Sequence, residues 1–356
     1  MFLIVAGGLC VVLNGVAILC VRIWNPSREA RAGVREPEAE NIWGLTEEAA
    51  AARREAVTRS VHAAPGPTRE VWDNPIVWRE IATWAYGRKV LVARLAYWLL
   101  VGLAAIALRQ ALAGDGVSLQ TAALVLVPLF VVSLVLVNAQ AVTSLTTERD
   151  VRALDLLLVT DLTAKEFVFG KLGGVLYNSK EMILLPMGLC VYLWLAGATS
   201  GENLLYLLGG LAVMNAFVAM LGVHAGMSYG NSRTAIGVSL GTVFFLFVGI
   251  ATCMRMMIAF SGSFHLQIQP FLAFMLGGGV GLYAALGSRN PSLAIGVASV
   301  LAPIATFWAI TSFLLQYTLG VFLVTVATYG FATAAMLVPA IFEFDVATGR
   351  TTPGEE

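Results

Sequence analysis

Long apolar runs alternate with short charged ones along this chain. A membrane-crossing helix needs about 20 mostly apolar residues, and about nine stretches meet or approach that length. They cover 2–21, 95–113, 121–143, 181–198, 203–227, 235–258, 270–287, 291–313 and 317–342. Gly277, Gly278 and Gly279 offer a point at which the seventh breaks into a re-entrant pair, which protein-buried backbone permits. The first stretch has no basic residue ahead of its core and no small-residue cleavage site behind it, while Arg22, Arg28 and Arg31 follow it. That pattern predicts a retained anchor with its N-terminus outside.

Polar segments between the runs carry their own punctuation. In the linker 23–74, Thr46 caps a helix whose first turn holds Glu47 and Glu48, favourable at the positive end of a helix dipole, and Pro65-Gly66-Pro67 ends it. Asn74 and Pro75 then start another helix, expected over 75–90, as N-cap and first-turn residue. Its Trp78 and Trp84, with the cations Arg79, Arg88 and Lys89, suit a helix lying in the membrane interface; the plainer reading is an amphipathic helix packed on protein.

The segment 145–171 is the most structured of the polar connections. Leu154, Leu157 and Leu158 share one helical face, and Glu148, Arg152 and Asp155 another. Thr163 and Glu166 then form a capping box, with Leu162 and Phe167 spaced as a hydrophobic staple. The chain is expected to leave the membrane as a helix, turn near Asp161 and return as a second helix. Such a charged elbow can receive force from a soluble partner, although a plain loop helix has the same pattern.

Composition and charge narrow the class. Hydrophobic residues make up 58% of the chain and charged residues 12%, with mean hydropathy +0.80. Soluble domains carry about twice that charged fraction. Lysine plus arginine and aspartate plus glutamate balance at 22 each, so no excess charge points to nucleic acid. Assigning the nine spans an outside N-terminus places 20 of the 22 basic residues on the cytoplasmic side, leaving only Arg109 and Arg255 outside. Lysine and arginine accumulate in cytoplasmic loops, so this distribution supports a cytoplasmic C-terminus. The expected fold is an all-α polytopic transmembrane helix bundle: an anchor over 1–22, a cytoplasmic linker over 23–74, a core over 75–260, and C-terminal spans with a short tail over 261–356.

Cys10, Cys20, Cys190 and Cys253 lie in apolar runs without metal or redox spacing, and His62, His224 and His265 are scattered. They read as packing residues. Arg94 and Lys180-Glu181 fall at inner span ends, where long side chains snorkel.

The segment 145–171 resembles the signature of type 2 ATP-binding-cassette (ABC) exporter permeases, Glu-Arg-Glu-x-Gly-Thr-Leu-Glu, then Leu-Leu-x-Thr-Pro-Leu-Ser, then Glu and Gly-Lys. The matching residues are Glu148, Arg149, Leu154, Leu157, Leu158, Thr160, Leu162, Glu166, Gly170 and Lys171. Asp150, Asp155 and Thr163 are conservative replacements, whereas Val151-Arg152-Ala153 and Asp161 depart from the signature. Asn74-Pro75 with Trp78-Arg79-Glu80, and the loop Ser228–Ala235, also fit that architecture. The likeness covers roughly 74–260; the extra first span and long linker suggest the C-terminal portion of a longer fused permease. It implies a permease subunit of an exporter in the cytoplasmic membrane. Its partners would be an ABC ATPase subunit, a second permease (identical or related) and membrane lipid. Glu148, Arg149, Asp155, Glu166, Gly170 and Lys171 would couple it to the ATPase. ATP and magnesium would bind the partner, since Gly170-Lys171 is followed by Leu172 and the chain has no P-loop and no cofactor site of its own.

Two other classes compete. An ATP-independent secondary transporter needs buried carboxylates, and the spans offer too few to build an ion-coupled carrier. An intramembrane enzyme is disfavoured: Glu47-Glu48 with Arg53 has the wrong spacing for a prenyl-protein protease, and neither H-E-x-x-H nor G-x-S-x-G occurs.

Overall fold

The computed structural model describes residues 72–82, 87–113, 119–150, 162–289 and 291–347. The expected anchor over 2–21 and the Thr46-capped linker helix lie outside the described residues. Among the described residues every regular element is helical. These are α1 (Pro75–Ala82), α2 (Gly87–Ala113), α3 (Leu119–Asp150), α4 (Ala164–Asn178) and α5 (Lys180–Leu195). Then come α6 (Gly201–Ser228), α7 (Ser232–Ala259), α8 (Phe264–Leu286), α9 (Leu293–Leu314) and α10 (Thr318–Ala347).

Among the described residues seven helices are long and apolar enough to cross a membrane: α2, α3, α6, α7, α8, α9 and α10. This is a multi-pass membrane protein. The expected span over 181–198 is α5, whose 16 residues extend only about 24 Å, less than the roughly 30 Å hydrocarbon core. Only Ser179 separates it from α4, and Ser179 N–H still bonds Val175 O at 2.8 Å, so the two form one bent rod.

Helix α6 is the centre of the bundle, with Phe217 through Gly226 buried against α3 and α10. In lipid, apolar burial provides little net drive for helix association, so close backbone approach and interhelical hydrogen bonds must supply it. Both are present. A Cβ on Gly222 would lie 2.5 Å from Ala141 Cβ and 2.8 Å from Val142 N, so only glycine allows α6 this close to α3. Asn138 of α3 donates to Val218 O of α6 at 2.8 Å and accepts from Ser239 of α7 at 2.9 Å.

Pro186 shows how the bundle handles a helix breaker. A proline removes the hydrogen bond to the carbonyl four residues earlier, here Met182 O. Tyr97 Oη of α2 donates to that carbonyl at 3.2 Å, and Ser133 Oγ of α3 donates at 2.5 Å. The orphaned acceptor thus becomes a pin joining three helices.

The triple glycine does not break the seventh expected span. Helix α8 runs on through a π-helical turn, Ala273–Gly277, opposite a second π turn in α7, Phe245–Gly249. Phe245 stacks on Phe274 at 6.3 Å between centroids, and a Cβ on Gly278 would come within 2.1 Å of the Phe245 ring. The glycine accommodates a packed ring instead of opening the helix.

Candidate functional site

Helix α1 is positioned by its first residue. Asn74 Oδ1 accepts from Ile76 N and Val77 N, at 3.0 and 3.1 Å, which caps α1. Its Nδ2 donates across to Glu166 O at 2.9 Å. Helix α4 starts on the expected capping box: Glu166 N donates to Thr163 Oγ1 at 3.2 Å, and Thr163 N donates to Glu166 Oε2 at 2.9 Å. Leu162 and Phe167, the expected staple, are both buried, and Phe167 stacks on Phe344 of α10.

The two helices touch along glycines. A Cβ on Gly170 would lie 2.7 Å from Ile76 Cβ, and one on Gly174 would lie 2.5 Å from Glu80 Cβ. The i, i+4 pair Gly170 and Gly174 therefore clears a groove for α1. Asn178 closes its far end, donating to Glu80 O at 2.9 Å.

Within that contact lies a buried ionic cluster. Lys171 is fully buried; its Nζ is 2.7 Å from Glu80 Oε1 and 2.7 Å from Glu148 Oε1. Its third neighbour is Ser144 O at 3.4 Å. The three ammonium protons thus face three oxygens. Arg79 bridges the same two carboxylates, to Glu80 Oε1 at 3.2 Å and to Glu148 Oε1. Among the described residues, two cations and two anions tie α1, the end of α3 and α4 into a clasp. Arrangement matters here, because a buried charge left without its partner is strongly destabilising.

The next two residues of α3 reach other helices. Arg149 Nη1 donates to Gly226 O at 3.0 Å and to Tyr229 O, satisfying carbonyls at the C-terminal end of α6. Ser232 Oγ, in the first turn of α7, donates to Asp150 Oδ1 at 2.6 Å. Glu148, Arg149 and Asp150 therefore link α3 to α1 and α4, to α6, and to α7 respectively. Tyr229 Oη extends the network to α8 by donating to Ala285 O at 2.7 Å.

No family model, curated protein or solved structure matches the chain. The site must be read from its own geometry.

Of the residues expected at the coupling elbow, Glu148, Arg149, Glu166, Gly170 and Lys171 gather around the α1–α4 contact and the end of α3; Asp155 lies outside the described residues. Lys171 is an internal strut with no surface to offer a partner. The helix expected over 75–90 is instead two elements, α1 ending at Ala82 and α2 starting at Gly87, so Arg88 and Lys89 belong to the first turn of α2. Trp84 lies outside the described residues, whereas Trp78 and Arg79 are half-buried. The buried Ile76 and Glu80 face α4, so α1 is packed on protein along that side. Sequence reasoning named Glu80 only within the Trp78-Arg79-Glu80 resemblance, gave it no role, and missed Gly174 and Asn178. A Gly-x-x-x-Gly spacing beside a lone lysine was their available signal. Glu80, on the short α1 and not on a crossing-length helix, is almost wholly buried.

Two other residues took ordinary roles. His224 is buried, with Nε2 2.9 Å from Leu286 O, as a packing histidine would be. Arg94 donates to Asn178 O at 2.7 Å and sits 3.7 Å from Glu181, so it is pinned between α2 and α5.

Proposed function

We propose that this chain is the membrane-spanning permease subunit of an ATP-driven exporter in the cytoplasmic membrane, served by an ATPase on a separate polypeptide. Supporting this reading is the triplet Glu148-Arg149-Asp150, whose side chains engage α1 and α4, α6, and α7 at the end of one long helix. A push on segment 145–171 would be shared among those helices at once, as alternating access demands. The resemblance of the same segment to the type 2 ABC permease signature points the same way. In this reading α5 crosses together with the end of α4, to which Ser179 joins it, so that the topology has nine spans with the N-terminus outside and the C-terminus cytoplasmic. A second permease subunit completes the pathway, and ATP with magnesium binds the partner ATPase.

The test is affinity purification of the full chain in mild detergent. An ATPase subunit should co-purify, and nucleotide hydrolysis in the complex should respond to Asp155→Lys, a charge reversal on the elbow. Purification with no nucleotide-hydrolysing partner would overturn the assignment. Glu148→Gln is the gentler probe of the clasp, because reversing that charge would face Lys171 with another cation.

One observation favours a second reading, an ion-coupled carrier. Glu148 Oε2 is buried and makes no hydrogen bond among the described residues, and a buried carboxylate with a free oxygen can hold a transferable proton. Against it, Lys171 and Arg79 neutralise both acids of the cluster. Transport by the purified chain in liposomes under a proton gradient alone, lost in Glu148→Gln, would establish that reading in place of the first.

A further inference from the structure

Helices α2 and α5 are pinned together at one end, where Arg94 lies against Asn178 O and Glu181. They part at the other. Arg109 is 15 residues beyond Arg94, about 22 Å along α2 at 1.5 Å per residue. There an open cleft of about 510 Å³ lies between Ala105, Ile106 and Arg109 of α2 and Leu189 and Tyr192 of α5. Gly102 and Gly188 have nothing within 4 Å of where a Cβ would sit, so neither helix fills the space near them. The lining is hydrocarbon apart from the Tyr192 hydroxyl and the Arg109 guanidinium.

Arg109 is exposed and makes no ion pair or hydrogen bond among the described residues. That separates it from Arg79, Arg94 and Arg149, each of which is engaged by named oxygens. It sits one turn from the last residue of α2, and Tyr192 one turn from the last residue of α5. Arginine and tyrosine at the end of a span mark headgroup depth. A guanidinium is planar and presents paired donors to a phosphate. Below it, the apolar cleft matches an acyl chain.

We propose that this cleft is a binding site for one anionic phospholipid, its phosphate on Arg109 and an acyl chain between α2 and α5. The lipid would fill the gap that the two helices leave open and hold their unpinned ends together. The site needs only the multi-pass membrane character of the chain, and stands or falls apart from the permease reading.

The experiment is native mass spectrometry of the full chain, exchanged from detergent into mixtures of phosphatidylglycerol and phosphatidylcholine with identical acyl chains. The wild-type chain should retain one phosphatidylglycerol in preference to phosphatidylcholine. Arg109→Gln should weaken retention by about tenfold or more, as expected for losing one charge-assisted pair, while Arg109→Lys keeps part of it. Ala105→Phe fills the cleft without touching the charge and should also displace the lipid. Arg255→Gln, removing the exposed arginine of α7, should change nothing. Retention unchanged in Arg109→Gln or in Ala105→Phe, or equal retention of both headgroups, overturns the proposal. Size-exclusion profiles and unfolding temperatures show that each variant is folded, and the Lys variant carries the headgroup test if Gln is not.

Discussion

Two regions of this bundle are held by different physics. Around the end of α3, contacts are charged and directional: Lys171 between Glu80 and Glu148, Arg149 on the carbonyls of α6, and Asn74 and Asn178 bridging α1 and α4. Between α7, α8 and α9 the contacts are uncharged and mainly those of shape, beside hydrogen bonds from Gln267 Nε2 to Met257 O at 3.3 Å and from Cys253 Sγ to Pro270 O at 3.6 Å. Phe245 lies on Phe274 and against Gly278, Phe271 meets Phe307 edge to face, and Ser299 Oγ and Thr306 Oγ1 bond carbonyls of their own helix. A charged cluster tolerates few arrangements, because each displaced group loses a partner. Apolar surfaces can slide with little penalty while the void stays filled. The first region is thus suited to transmit a displacement and the second to accommodate it.

The sharpest way to break this contrast is to remove the cation at the centre of the clasp. Lys171→Met takes from Glu80 and Glu148 the buried ammonium that lies between them, and should cost about 3–5 kcal/mol, the usual penalty for stripping a partner from a buried charge pair. Denaturant titration in detergent micelles would read it as a large fall in the unfolding midpoint. Adding Glu80→Gln should recover part of the loss, because one orphaned charge is then gone. An equal loss in the single and double variants would mean that packing, and not charge, holds α1 to α4.

On the apolar side the matching variant is Gly278→Ala. Its methyl would fall 2.1 Å from the Phe245 ring, so the ring must move. Overpacking of this kind costs about 1–3 kcal/mol. Because the three atoms nearest that methyl all belong to the Phe245 ring, Phe245→Leu should relieve most of it in the double variant. Failure of that rescue would show that the π turns are held by something other than the ring.

Between these extremes sits the proline pin. Ser133→Ala leaves Met182 O with Tyr97 as donor, and interhelical hydrogen bonds in membranes average only about 0.6 kcal/mol. Ser133→Ala with Tyr97→Phe removes both donors to a buried carbonyl that Pro186 has already freed, which should cost about 1–3 kcal/mol. The double variant should therefore lose more than the sum of the singles. Simple additivity would argue that water reaches Met182 O.

How much of this was legible in the sequence depends on the range of the interaction. Hydropathy marked the crossing-length helices, because lipid imposes length and apolarity on each span independently. The Thr163–Glu166 capping box was legible for the same reason: both residues belong to one turn. Lys171 was singled out, but Glu80 lies 91 residues away, and no local pattern pairs them. Hydropathy also could not show that the fourth stretch, α5, continues directly from α4 through Ser179, since the join depends on one backbone hydrogen bond, Ser179 N–H to Val175 O. Gly277, Gly278 and Gly279 offered a break that α8 does not make, because glycine marks both chain reversal and close ring packing, and only the partner Phe245 decides between them.

The smallest predicted effect has the opposite sign and comes from a turn. Helices α5 and α9 both end by passing through the left-handed region, at Gly197 with φ 74° and at Gln316 with φ 64°. In each, the next residue's N–H returns to a carbonyl five residues back, Ala198 to Leu193 at 2.9 Å and Tyr317 to Ser312 at 3.0 Å. Glycine adopts this conformation freely, whereas a side chain there crowds the following carbonyl at about 1–2 kcal/mol. Gln316→Gly relieves that crowding but also gives the unfolded chain more freedom to lose, an offset of about 0.5–1 kcal/mol. The net should be a stabilisation of about 0.5 kcal/mol, read as a small rise in unfolding midpoint, with Gln316→Ala close to neutral. A fall in the glycine variant would mean that the glutamine side chain makes a contact in the membrane interface that outweighs the backbone term. The α9–α10 turn would then be held by its surroundings, unlike the one that ends α5.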